Sequence, residues 1–83
     1  MGRSVQERVE EFIFGSLLLG DRTRVPAADD SLIESGVIDS TGVLELIEFL
    51  EEEFAIRVED AETVPENLDS IERIVAFVDR KVR

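Results

Sequence analysis

Residues Leu32–Phe54 read LIESGVIDSTGVLELIEFLEEEF, and the stretch divides at Asp39-Ser40. After that point Val43, Leu46, Ile47, Leu50 and Phe54 recur at spacings of three and four, the mark of a helix with one apolar stripe. Leu44 and Phe49 lie beside the stripe, and Glu45, Glu48, Glu51, Glu52 and Glu53 cover the rest. The helix, about residues 40–54, thus carries five acidic side chains and no basic one. Before Asp39 the pattern is that of a loop. Pro26, the Asp29-Asp30-Ser31 cluster and Gly36 punctuate residues 20–39. Loops of about twenty residues are uncommon in small domains and are often functional. Leu32, Ile33, Val37 and Ile38 are apolar and are expected to pin this one to a core.

The flanks supply the rest of the fold. Ser4 is placed to cap a first helix over about 4–19, with Val5, Val9, Phe12, Ile13, Ser16 and Leu17 on one face and Gly20-Asp21 as the stop. Ala55-Ile56-Arg57-Val58 is a short link. Asp60 is expected to cap a brief helix over about 61–64 that Pro65 ends. Asn67–Ser70 offers caps for a last helix over about 69–82, whose face is Ile71, Ile74, Val75, Val78 and Val82. Arg80, Lys81 and Arg83 fall at its C-terminus, where the helix dipole favours cations. The expected fold is all-α, a small four-helix bundle of three main helices and one short one, in a single domain over 1–83.

Composition limits the chemistry. The 83 residues contain no Cys, His, Trp or Tyr. Disulfides, thiolate chemistry and the commonest general base and metal ligand are therefore missing. A net charge of −11 repels nucleic acid and anionic membrane and favours basic partners. From Val25 to Glu72 there are fifteen acidic residues and one basic residue, Arg57. Phe12–Leu19 is apolar, with Arg3 and Arg8 before it. However, Glu7, Glu10 and Glu11 occupy what should be a basic region, so a signal peptide is not expected. The run is too short to span a bilayer, and a cytoplasmic protein is expected. Asp29, Asp30 and Glu34, or Asp60 and Glu62, lack the EF-hand spacing, so no metal site is expected.

Two features remain that carry chemistry. One is Ser40, at the first turn of an acidic helix, where a hydroxyl can face solvent and where an attached anion would be favoured. The other is the row Glu45, Glu48, Glu51 and Glu52, which projects along one side. Like charges so spaced destabilise a helix by a few tenths of a kcal/mol per pair. No cation within the helix relieves them, which points to a docking face for basic partners.

The Gly36-x-Ile38-Asp39-Ser40 core, the acidic helix behind it, Ile56-x-Val58-x-Asp60, Val64-Pro65 and Asn67-Leu68-x-Ser70-Ile71 together resemble the acyl and peptidyl carrier proteins over about residues 4–82. The resemblance implies a four-helix bundle in which a phosphopantetheinyl transferase moves 4′-phosphopantetheine from coenzyme A onto Ser40. It also implies that the arm's thiol then carries an acyl or aminoacyl group as a thioester. Asp39 would cap the helix and help hold the transferase's magnesium. Thr41, Leu44 and the glutamates would meet partners: an acyl- or aminoacyl-activating ligase, and an acyltransferase or synthase.

The sequence departs from the family where many carriers have Leu after the serine. Here Thr41-Gly42 follows, and Ala55 stands where Gly often ends the helix. The IDSTGVLEL run is closer to freestanding carriers of polyketide, nonribosomal peptide or D-alanyl transfer systems than to the general carrier of fatty acid biosynthesis. The implied protein is a monomer and not itself an enzyme. Two other readings of the residues stand beside it. One is an acidic helical interaction module without a prosthetic group. The other, an enzyme with Ser40 as nucleophile, lacks a histidine and a Gly-x-Ser-x-Gly elbow.

Overall fold

Ser4 starts the first helix by a reciprocal cap: its Oγ accepts from the Glu7 N–H at 3.1 Å while the Glu7 carboxylate accepts from the Ser4 N–H. The computed structural model describes residues 4–82; Arg3 and Arg83 lie outside the described residues. Helix α1 (Val5–Phe12) continues into a π-helical turn, Ile13–Leu17. After a 3₁₀ turn at Arg22–Arg24 and a long loop come α2 (Ser40–Phe54), a second 3₁₀ turn (Asp60–Glu62), α3 (Pro65–Leu68) and α4 (Ile71–Val82). The described residues are all-helical, as the periodicity predicts, and form a small helical bundle. No helix among them is long and apolar enough to cross a membrane.

The π-turn changes which residues reach the core. The Leu18 N–H donates to the Ile13 carbonyl at 2.9 Å, a closure of five residues instead of four. One extra residue fits in the turn, so Leu18 follows Val9 and Ile13 into the interior. Ser16, expected on the apolar face, is exposed, and Leu17 is half-buried. The helix then ends through Leu19 and Gly20, both left-handed at φ 52° and 84°.

The long loop is held by α4's entry. The Leu32 N–H donates to the Asp69 carbonyl at 2.7 Å, and the Asp69 carboxylate accepts from Ser31 Oγ at 2.7 Å and the Ile33 N–H at 3.0 Å. The Glu72 N–H donates to the Ala28 carbonyl at 2.9 Å. The loop's backbone groups therefore find partners without a helix or sheet. Leu32, Val37 and Ile38 are buried as expected, but Ile33 is 50% exposed.

The second half corrects the expected boundaries. The short helix is not at 61–64. A 3₁₀ turn occupies Asp60–Glu62, with Glu59 and not Asp60 as its cap, and Pro65 begins α3 instead of ending a helix. Proline fits the first helical position, where its missing N–H has no partner to lose. Ser70 Oγ accepts from the Arg73 N–H at 3.1 Å, and α4 starts at Ile71, slightly later than expected. Its buried face is Ile71, Ile74, Phe77 and Val78. Val82, expected there, is 54% exposed, and Phe77 takes the central place.

One core results. Val9, Ile13 and Leu18 from the first helix meet Leu46 and Leu50 of α2, the α4 face, Leu68 and the three loop residues. Phe12 stacks on Phe49 at 4.3 Å between ring centroids, closing the α1–α2 side.

Candidate functional site at the start of helix α2

The first turn of α2 separates two tasks that a single serine often combines. Asp39, extended at φ −125°, is the cap: its Oδ1 accepts from the Gly42 N–H at 2.8 Å. Its carbonyl accepts the first helical bond, from the Val43 N–H at 2.9 Å. Ser40 is thereby the first helical residue and not the cap. It is exposed, and its hydroxyl has no hydrogen-bond partner among the described residues. A free hydroxyl at the N-terminus of a fifteen-residue helix sits where an anionic substituent gains from the dipole, by about 0.3–1 kcal/mol.

Gly42 supports this turn from below, and the apolar spacing gave no sign of it. A Cβ there would lie 2.9 Å from Ile38 Cγ1, 3.4 Å from Asp39 Oδ1 and 3.6 Å from Leu17 Cδ2. Ile38 and the end of the first helix can therefore close on the helix start. Arg24 adds a second support: its Nη2 donates to the Gly36 carbonyl at 2.8 Å, tying the early loop to the turn that precedes Asp39.

The expected partner-facing residues divide. Thr41, Leu44, Glu45, Glu48 and Glu52 are exposed on the flank that adjoins Ser40, and Leu44 is 63% exposed. Glu45, Glu48 and Glu52 make no ion pair or hydrogen bond with the described residues. Glu51 leaves this row: it is half-buried, and its carboxylate accepts from the Val58 N–H at 2.9 Å. It ties the link after α2 back onto the helix. Glu53 points the other way and pairs with Arg8 of α1. The charge within α2 is thus relieved at one residue, by a cation that its own sequence could not reveal.

Two grooves adjoin the start of α2. On the α1 side, a polar one of about 290 Å³ is lined by Ser16, Gly36, Asp39, Thr41, Gly42 and Glu45, among others. On the α3 side, an apolar one of about 80 Å³ is lined chiefly by Ile33, Ile38, Val43, Val64 and Leu68. Ligand pockets usually hold about 300–1,000 Å³, so the apolar groove is too small for a drug-sized molecule. A larger groove, about 520 Å³, lies elsewhere, along Glu7, Phe14, Leu18, Arg22 and Val25.

The acidic residues considered for cations are engaged or dispersed. Asp30 accepts from the Ala27 N–H at 2.8 Å, and Glu62 pairs with Lys81 at 2.8 Å. No group of three or more acidic side chains is arranged to hold a metal among the described residues. Hydrogen bonds to its carboxylate from Lys81 and from the Glu59 N–H hold Glu62 below the usual carboxylate range. Asp21 is lowered by the Thr23 hydroxyl and then by the Thr23 N–H. Both groups are structural and lie outside the Ser40 turn.

The described residues form a small all-α bundle with an exposed serine at the head of an acidic helix, its hydroxyl without a partner among them. No protein-family model matches this chain, and no curated protein matches it either.

Proposed function

We propose that this chain is a carrier domain that bears 4′-phosphopantetheine on Ser40 and delivers a thioester-bound acyl or aminoacyl group to partner enzymes. The observation that carries the reading is the division of labour at the α2 start: Asp39 caps, so the exposed Ser40 hydroxyl is free for modification. On this reading Ser40 Oγ takes the phosphopantetheinyl phosphate of coenzyme A, releasing adenosine 3′,5′-bisphosphate and the hydroxyl proton. The arm supplies the thiol that a cysteine-free chain lacks.

The chain's own residues fit the group. The α2 N-terminus would receive the phosphodiester, and Asp39, which fixes the turn through the Gly42 N–H, would help hold the transferase's magnesium. Thr41, Leu44, Glu45, Glu48 and Glu52 present an apolar point and an acidic flank to a phosphopantetheinyl transferase, an activating ligase and an acyltransferase or synthase. Glu51 is left out of that surface because Val58 engages it. The reading takes the chain as a cytoplasmic monomer whose apolar faces are used by one core.

Intact mass after incubation with coenzyme A, magnesium and a broad-specificity transferase tests this. A gain of one phosphopantetheinyl group, absent in Ser40→Ala, is the expected result. A folded, initially unmodified protein that gains nothing refutes the carrier reading and leaves an acidic interaction module with basic partners.

A further inference from the structure

Resting on the carrier reading, we infer that the arm on Ser40, when no partner holds it, lies in the polar groove between the end of the first helix and the first turns of α2. The two grooves at the start of α2 differ in what they offer. A pantetheine chain is uncharged between its phosphate and its thiol, and it carries two amides and a hydroxyl. Such groups lose free energy on entering an apolar surface unless they find hydrogen-bond partners.

The α1-side groove of about 290 Å³ has them. Ser16, Thr41 and Glu45 line it, all three are exposed, and none of their side chains has a hydrogen-bond partner among the described residues. The α3-side groove of about 80 Å³ offers mostly aliphatic carbon, and its one carboxylate, Asp69, already accepts from Ser31 and Ile33.

The backbone builds the polar groove from two independent features. The π-turn sends Leu18 inward and leaves Ser16 outside at the groove wall. Gly42 lacks the Cβ that would project into the space between Ile38, Asp39 and Leu17. The same geometry gives Thr41 a purpose, since its hydroxyl faces a ligand whose amides need acceptors and donors.

The test compares amide ¹⁵N–¹H spectra of the apo and loaded full chain, with loading verified by mass. The largest shift changes beyond Asp39–Thr41 are expected at Ser16, Leu17, Gly42 and Glu45. The variant Ser16→Ala, whose apo spectrum keeps the core resonances in place, is expected to load to the same mass and to lose the changes at Leu17 and Glu45. Changes at Ile33, Val64 and Leu68 instead would overturn the inference in favour of the apolar groove. Changes confined to Asp39–Thr41 would overturn it in favour of a free arm. A wild-type chain that never gains the arm's mass refutes the carrier reading itself, so the two failures are distinguishable.

Discussion

Helices α2 and α4 are both amphipathic, and they use their charges in opposite ways. Every cation of α4 in the described residues holds a neighbouring segment. Arg73 Nη1 donates to the Pro65 carbonyl at 3.2 Å, Arg80 Nη2 to Asn67 Oδ1 at 2.9 Å, and Lys81 Nζ to Glu62 at 2.8 Å. The basic end of α4 is thus a clasp on the 60–68 segment. On α2, Glu45, Glu48 and Glu52 are exposed and have no partner among the described residues, while Glu51 and Glu53 serve the fold. Charge that is bonded inside the molecule explains itself by stability. Charge left at spacings of three and four, without compensation, lowers helix stability and finds its reason in a partner.

Substitutions test this contrast. The largest expected effect is in the α4 core: Phe77→Ala should lower unfolding free energy by about 3–5 kcal/mol in urea denaturation, while Leu44→Ala on α2 should stay within about 0.5 kcal/mol. Equal losses at the two positions would mean that the exposed flank of α2 is structural. At the α2 start, Asp39→Ala should lose about 1 kcal/mol of capping, whereas Ser40→Ala, with no bond to lose, should leave the melting temperature unchanged and remove the modification.

Ala55 ends α2 at φ 53°, in the left-handed region that costs most residues about 1–2 kcal/mol. Ala55→Gly should therefore stabilise the chain by about 0.5–1 kcal/mol, read from the same denaturation curves. A loss would show that glycine's greater freedom in the unfolded chain outweighs the relieved strain.

Reversing the free charge should separate stability from recognition. Glu48→Lys relieves repulsion with Glu45 and Glu52 and should raise stability by a few tenths of a kcal/mol. It should also slow loading by the transferase about tenfold at low salt, an effect that shrinks as salt is added. Loading rates that ignore this change would remove the docking role of the flank.

The smallest effect is the clasp's pH dependence. The folded Glu62 carboxyl is held below its ordinary value of 4.5, chiefly by the Lys81 hydrogen bond. A lowered folded pKa means that the contribution is fully present above 4.5 and is lost as pH falls through the lower folded value. The stability gap between wild type and Glu62→Gln should be open at pH 7 and close in acid. A gap that persists in acid would assign the contact to packing and not to charge.

The helical class, the α2 boundaries, the Asp39 cap, the exposed position of Ser40 and the acid-rich α2 surface are legible in the residues alone. Each is local: a 3.6-residue period, a capping residue and a run of one charge can be read within one turn or one helix. Packing puts Leu18 in the core in place of Ser16, because a π-turn breaks the 3.6-residue period. It also made Phe77 central and Val82 peripheral, since the neighbours that cover α4 come from elsewhere in the chain. Pro65, expected to end a helix, begins α3, because proline suits both places and the surrounding contacts choose between them. Glu51 shows the same limit: its carboxylate bonds the Val58 N–H only once the chain has turned back. Gly42 lets Ile38 and Leu17 close on the start of α2, a distance between segments that no periodicity encodes.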